Sequence, residues 1–226
     1  MFFKRATTVT VTSALLLGLH GLPASADPHS FNETTDASHA SSFLKAQGVS
    51  DVTASKLEQK IRSGQATGSV AGEQLIEVET KRQGDFIVTA EKYSDGSVET
   101  IRIEQPIQPL ASKKGCKLVS GSGYRTYKNC TISRQSINGY IAFLATYTLV
   151  QGAPDYISSA TNLVQRCFIG SCSNESLRIR QKKEANGNSA RAEARVVITL
   201  PNNVGSRSHG VRLLVGKDQA RAVDFA

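Results

Sequence analysis

The sequence predicts a mainly β protein: a C-terminal antiparallel β-sandwich or barrel with two disulfides, preceded by a small α+β region. Three observations support this fold class. Apolar and polar residues alternate along several stretches of the C-terminal half, with the period of half-buried strands. The dipeptides Asp95-Gly96 and Asn186-Gly187 separate such stretches and favour hairpin turns. The chain of 226 residues also has 4 cysteines, an even number typical of disulfide-stapled domains.

The first 26 residues have the features of a signal peptide. Lys4 and Arg5 precede a mostly apolar stretch, and residues 24–26 are small. We therefore expect cleavage after Ala26 and a secreted, extracellular product, whose four cysteines meet an oxidising environment. The polar segment 27–38 lacks apolar periodicity and is expected to be a flexible N-terminal arm.

Residues 39–108 predict the small α+β region, with two short helices and a three-strand meander. The first helix carries Phe43 and Leu44, and the second begins near Ser50, a residue that caps helices, and ends at Gly64. Neither helix has many large apolar residues, so we expect both to pack against the meander. Its strands are expected at 75–80, 86–90 and 98–103.

A boundary is expected near Pro106 and Pro109, because proline fixes φ and lacks the N–H group that a helix or central strand needs. The β domain then covers 109–226. Its clearest strand is 140–150, where apolar residues occur at every second position. The expected inward residues of that strand are Ile141, Phe143, Ala145, Tyr147 and Leu149. Further strands are expected at 128–133, 156–168, 176–182, 190–200, 210–215 and 221–225.

The four cysteines allow three disulfide connectivities. We predict the nearest-neighbour pairs, Cys116 with Cys130 and Cys167 with Cys172, because each pair brackets a turn-rich segment. A metal site is the alternative, but the spacings lack the paired C-x-x-C form and His209 is the one histidine of the cysteine-bearing half. We therefore expect no metal and no cofactor.

Charge is unevenly distributed along the chain. Residues 27–115 hold 10 Lys and Arg against 13 Asp and Glu, a net charge of −3, whereas residues 116–226 hold 15 against 6, a net charge of +9. On the predicted strands 176–182 and 190–200, cationic residues alternate with apolar ones and are expected on one sheet face. The candidate binding residues there are Arg178, Arg180, Lys182, Lys183, Arg191 and Arg195.

Such a face suits an anionic cell-wall polymer or another extracellular protein as partner. The alternative is a solvated outer face, because charged residues at alternate positions are expected on any half-exposed sheet. We expect no membrane span, and nucleic acid is not an expected partner because aromatic residues are poorly interleaved with the cations. Tyr124 and Tyr127, within the first disulfide loop, form a candidate recognition loop.

Signals for catalysis are sparse. His209 is the weak candidate, in a Gly/Ser-rich segment that is expected to be a solvated loop; a serine and Asp155, Asp218 or Asp224 would have to complete a triad. No G-x-S-x-G, H-E-x-x-H or P-loop motif occurs. We therefore predict no catalytic residues and a non-catalytic secreted or cell-surface binding protein. The alternatives are a small secreted hydrolase acting on an extracellular polymer, and a protease inhibitor or toxin-like factor.

The layout resembles uncharacterised secreted proteins of actinobacteria. The resemblance rests on the helical pair with Phe43 and Leu44, the turn 93–97, the Cys116–Cys130 loop and the strand that ends at 147–150. It covers most of the chain after the signal peptide. It implies secretion and carries no activity or site residues.

Overall fold

A computed structural model describes residues 33–106, 115–200 and 205–225, all within one structural unit. The predicted signal peptide, residues 27–32 of the predicted arm and the predicted boundary at 108/109 lie outside the described residues. None of the helices in the described part of the chain has the length and apolar character needed to cross a bilayer.

The described residues form three helices and eleven strands. The helices are α1 (Glu33–Ala46), α2 (Asp51–Arg62) and α3 (Gly68–Ala71). The strands are β1 (Leu75–Gln83), β2 (Phe86–Tyr93), β3 (Val98–Glu104), β4 (Lys117–Gly121), β5 (Tyr124–Ser136), β6 (Gly139–Val150), β7 (Tyr156–Cys167), β8 (Ser171–Gln181), β9 (Ala190–Thr199), β10 (Ser206–Gly216) and β11 (Gln219–Phe225).

Two antiparallel sheets confirm the predicted mainly β fold. A seven-stranded sheet has the order β1-β2-β3-β5-β6-β7, with β4 paired to β5. A four-stranded sheet has the order β11-β10-β9-β8. The two sheets pack face to face and are not closed into a barrel, which decides between the two predicted architectures.

The long strand β5 joins the meander to the cysteine-bearing strands. Its C-terminal half pairs with β3 and its N-terminal half pairs with β4, on either side of a register shift between Tyr127 and Cys130. Strands from both sides of the predicted boundary are thus hydrogen-bonded within one sheet.

The main core lies between the two sheets and follows the predicted alternation. All five predicted inward residues of the long strand β6 are buried. Opposite them, every second residue of β9 is buried from Ala190 to Ile198, as are Val211, Leu213 and Val215 of β10. The small side chains of Ala190, Ala192 and Ala194 leave room for larger side chains between the sheets.

The helices differ from the prediction in extent and in packing. Helix α1 begins at Glu33, within the segment predicted to be an arm. The apolar faces of α1 and α2 enclose Ile137, from the β5–β6 turn, and pack on Ile169, from the β7–β8 connection, instead of packing on the meander. Lys60 of α2 does reach the β2–β3 turn, where its Nζ lies 2.9 Å from Asp95 Oδ2.

Both predicted disulfides are present, Cys116–Cys130 and Cys167–Cys172. The first links the start of β4 to β5 beside its register shift. The second lies at the corner where the chain leaves β7 of the seven-stranded sheet and enters β8 of the four-stranded sheet. Each disulfide therefore fixes a place where the chain changes its pairing partner.

Candidate functional site

The outer face of the four-stranded sheet points away from the core. Arg178, Glu193 and Arg212 lie opposite one another across β8, β9 and β10. In the next row Arg191 lies opposite Leu214, which lies opposite Arg221 of β11. Because the residues between these positions are buried in the core, these side chains are on the solvent side. The outer face is defined here by Arg178, Arg180, Arg191, Glu193, Arg195, Arg212 and Arg221.

Glu193 holds three of these arginines in place. Its carboxylate oxygens lie 3.1 Å from Nε of Arg180, 3.3 Å from Nε of Arg191 and 2.9 Å from Nε of Arg212. The glutamate side chain is only 10% exposed, so the arginines cover it. The Arg212 guanidinium also lies 4.7 Å from the centre of the Phe225 ring. These contacts orient the guanidinium groups of Arg180, Arg191 and Arg212.

The other three arginines of the outer face are free of carboxylates. Arg178, Arg195 and Arg221 are exposed, and within the described ranges no carboxylate oxygen lies within 4.0 Å of their guanidinium nitrogens. Arg195 instead donates a hydrogen bond to Ser208 Oγ. Six arginines and one glutamate leave the outer face with a formal charge of +5.

Sequence reasoning missed Arg212 and Arg221. The signal for them is the same alternation that placed Arg191 and Arg195, because Arg212 lies between the buried Val211 and Leu213.

Lys182 and Lys183 leave the outer face. Strand β8 ends at Gln181, and the next two residues turn towards β7. The carbonyl of Lys182 accepts a hydrogen bond from the Ile157 N–H, and Lys183 forms an isolated bridge with Tyr156. Both lysines are exposed, but they lie on the connection to the seven-stranded sheet.

The predicted recognition loop is a β-hairpin, in which β4 and β5 are joined by the two-residue turn Ser122-Gly123. Tyr124 is 43% exposed. The Tyr127 ring is half-buried and stacks on Tyr147, with ring centroids 4.8 Å apart and planes within 8°. One of the two predicted tyrosines is thus available to a partner, and the other packs on the core.

His209 is a buried strand residue and not part of a solvated loop. It lies on β10, where Val211, Leu213 and Val215 share its inward direction, and it is 3% exposed. Burial and the nearby positive charge of Arg134 hold its pKa well below the usual value, although a hydrogen bond with the Arg134 backbone opposes the shift. Its Nε2 has no hydrogen-bond partner within the described residues.

The predicted triad is not assembled around this histidine. The Asp155 carboxylate accepts hydrogen bonds from the N–H groups of Val150, at 2.7 Å, and Asp218, at 2.8 Å. Asp155 therefore fixes the β6–β7 connection to the β10–β11 turn. Asp218 lies in that turn. In the described part of the chain, no hydroxyl or carboxylate group is hydrogen-bonded to the His209 ring.

His209 belongs to a buried polar cluster formed with Glu99 and Arg134. The Arg134 Nη2 lies 2.6 Å from Glu99 Oε2, and its Nη1 donates to the carbonyl oxygens of Gly210, at 2.9 Å, and Phe225, at 3.3 Å. Arg134 thereby connects β3 and β5 of one sheet to β10 and β11 of the other. The Glu99 Oε1 has no partner within the described residues.

Burial raises the pKa of Glu99 to about 7, although the charge and hydrogen bonds of Arg134 lower it. The nearby charges of Glu91 and Asp224 raise it further. Sequence reasoning missed Glu99 and Arg134. The sequence does indicate burial of Glu99, because alternation places it on the same face of β3 as the buried Ile101 and Ile103.

Comparison of the chain with protein-family models, curated proteins and solved structures finds no match.

Proposed function

We propose that this protein is a non-catalytic secreted or cell-surface binding protein, whose outer face binds an anionic polymer such as a cell-wall polymer. The observation that carries the proposal is the set of six arginines on one sheet face, opposed by a single carboxylate. A resemblance to secreted actinobacterial proteins and the two disulfides agree with an extracellular location.

The arginine side chains of the outer face favour an anion that carries carboxylate or phosphate groups. Every cation of the outer face is an arginine, whose guanidinium forms paired hydrogen bonds with carboxylate or phosphate groups. Arg180 and Arg212 donate a hydrogen bond to Glu193 through Nε, and Arg191 Nε lies 3.3 Å from its carboxylate, so none of the three contacts with Glu193 uses a terminal guanidinium nitrogen.

The spacing of the outer face favours a polymer over a single small anion. Neighbouring strands lie about 4.8 Å apart, and residues on one face of a strand repeat every ~6.6 Å. Arg178 and Arg221 are on the two outermost strands of the four-stranded sheet, so the arginines span its width. A chain with repeated charges contacts several of them at once, and each further contact adds to the affinity.

The test compares wild-type protein with a variant in which Arg178, Arg195 and Arg221 are changed to serine. These residues are exposed and have no carboxylate partner in the described ranges, so the substitutions leave the Glu193 contacts intact. The matched control changes three exposed cationic residues of the seven-stranded sheet to serine, away from the edge strand β1, and alters the net charge equally. The control residues are Lys117, Arg125 and Arg166.

Binding of inorganic polyphosphate, measured by titration calorimetry at several salt concentrations, gives the result. We expect the outer-face variant to bind at least about tenfold more weakly and to show a shallower salt dependence, because contacts that release counterions have been lost. The control should retain wild-type affinity. Equal weakening by both variants would show that the total charge matters and not the outer face.

A further inference from the structure

Among the described residues, strand β1 lies at the edge of the seven-stranded sheet. Within these ranges it pairs with β2 on one side only, and all nine of its residues are exposed. Three large apolar side chains lie on it, Leu75 at 44% exposure, Ile76 at 54% and Val78 at 54%. The free edge carries backbone N–H and C=O groups that can pair with another strand.

The regular part of β1 has a defined length and centre. A register shift between Leu75 and Glu77 interrupts the pairing with β2, and from Glu77 to Gln83 the register is continuous. This stretch contains neither proline nor glycine, the residues that commonly interrupt edge strands. Its central residue is Thr80.

We propose that β1 pairs antiparallel with β1 of a second copy of this chain, about a two-fold axis at Thr80. A two-fold axis perpendicular to the sheet keeps the same face of both copies on the same side, so opposed residues are both even-numbered or both odd-numbered. With Thr80 opposite Thr80, Glu79 lies opposite Lys81 of the second copy, and Lys81 lies opposite its Glu79.

Charge complementarity selects this register and this occupant. An axis at Val78 places Glu77 opposite Glu79, an axis at Glu79 places two glutamates opposite each other, and an axis at Lys81 places two lysines together. Like charges directly opposite are destabilising in a sheet. The axis at Thr80 avoids all three conflicts and gives two opposite-charge pairs.

The same register covers apolar surface and uses the whole regular stretch. Val78 then lies opposite Arg82 of the second copy, whose long side chain can cover it. Glu77 lies opposite Gln83, so pairing extends over all seven residues from 77 to 83. In one chain Lys81 Nζ already lies 2.9 Å from Glu79 Oε2, so the two copies form a group of four alternating charges.

Charge exchange tests the inference. Glu79→Lys places lysine opposite lysine, and Lys81→Glu places glutamate opposite glutamate, twice in each dimer. We expect each single variant to raise the dimer dissociation constant at least about tenfold. The double variant E79K/K81E restores both pairs and should dimerise as wild type does. Sedimentation velocity over a range of protein concentrations measures this.

Cysteine cross-linking tests the register independently of charge. In Thr80→Cys the two Cβ atoms are about 5 Å apart across the axis, whereas in Val78→Cys they are separated by four residues of strand, roughly 13 Å. Both positions are exposed on the same sheet face. We expect rapid oxidation to a covalent dimer for Thr80→Cys only. A wild-type protein that stays monomeric at all concentrations, or faster cross-linking of Val78→Cys, would overturn the proposal.

Discussion

The carboxylate of Glu99 is fully buried and contacts its partner Arg134 through Oε2 alone. Burial is the main cause that raises its pKa to about 7, whereas the ordinary pKa of a glutamate in the unfolded chain is 4.5. Between these two pH values the folded protein therefore keeps a proton that the unfolded chain has released. The stability contributed by this proton is complete below the pKa of the unfolded chain and is lost as pH rises through the folded pKa of about 7.

His209 has the opposite dependence. Its pKa is lowered by burial, so the unfolded chain binds a proton that the folded protein excludes. The stability that follows is present above the ordinary value of 6.5 and is lost as pH falls. The two residues are linked through Arg134, and below pH 6.5 their dependences oppose each other: as pH rises, the stability contributed by the Glu99 proton decreases while that contributed by neutral His209 increases.

Glu99→Gln isolates the carboxylate, since the variant retains His209. We expect the free energy of unfolding of wild type, relative to the variant, to fall by roughly 3 kcal/mol as pH rises from well below 4.5 to above 7. Urea unfolding at a series of pH values measures the difference. A constant difference across this range would contradict the assigned protonation of Glu99.

Among the structural elements, the corner between β7 and β8 leaves no room for a side chain at Gly170. Gly170 lies inside the Cys167–Cys172 loop with a φ of +84°. A Cβ atom on this residue would lie 1.9 Å from the carbonyl oxygen of Thr199, a backbone atom of β9. Glycine is needed here both for its backbone conformation and for the close approach of another chain segment.

We expect Gly170→Ala to lower the free energy of unfolding by about 2–4 kcal/mol, the sum of left-handed strain and overpacking. Gly187→Ala is the matched control. Gly187 has a φ of +76° with no atom within 4 Å of the added Cβ. This substitution should therefore lower the free energy of unfolding by only about 1 kcal/mol. Thermal unfolding with both disulfides intact compares them. An equal loss of unfolding free energy in the two variants would show that the Thr199 carbonyl does not exclude a side chain at Gly170.

The strands were predictable where one pattern repeats within the strand. Alternation along β6 and β9 gave both the elements and their buried faces, and the Asn186-Gly187 turn has the positive φ values that a hairpin requires, 51° and 76°. The start of β10 was not predicted, because Ser206 to His209 are polar and resemble a loop. Their pairing with β9 supplies the backbone hydrogen bonds that override this preference.

At the scale of the whole molecule, contacts between distant segments escaped prediction. The hydrogen bond from Arg134 to Gly210 joins residues 76 positions apart, and the ion pair with Glu99 joins residues 35 apart. Within its local sequence, each of these charged residues looks like an ordinary exposed residue of a strand. Only the packing of one sheet over the other brings these side chains together inside the protein.

The outer face was predictable only in part, because it too combines residues from segments that are distant in the sequence. Alternation within single strands placed Arg178, Arg191 and Arg195 on one side, and the structure brings them together with Arg212 of β10. The strand order β11-β10-β9-β8, which the sequence does not show, decides which strands add their arginines. Lys182 leaves the face because β8 ends one residue earlier.

The central claim is that an anionic polymer binds the outer face, and arginine footprinting tests it most directly. The protein is treated with an arginine-modifying dicarbonyl reagent, with and without saturating polyphosphate, and the modified sites are quantified by mass spectrometry. We predict that Arg178, Arg195 and Arg221 lose at least about half of their reactivity when polyphosphate is present, because bound phosphate occupies their guanidinium groups. The exposed arginines of the seven-stranded sheet, Arg82, Arg125 and Arg166, should react equally in both samples. Uniform protection of all six, or protection of the seven-stranded sheet alone, would contradict the account.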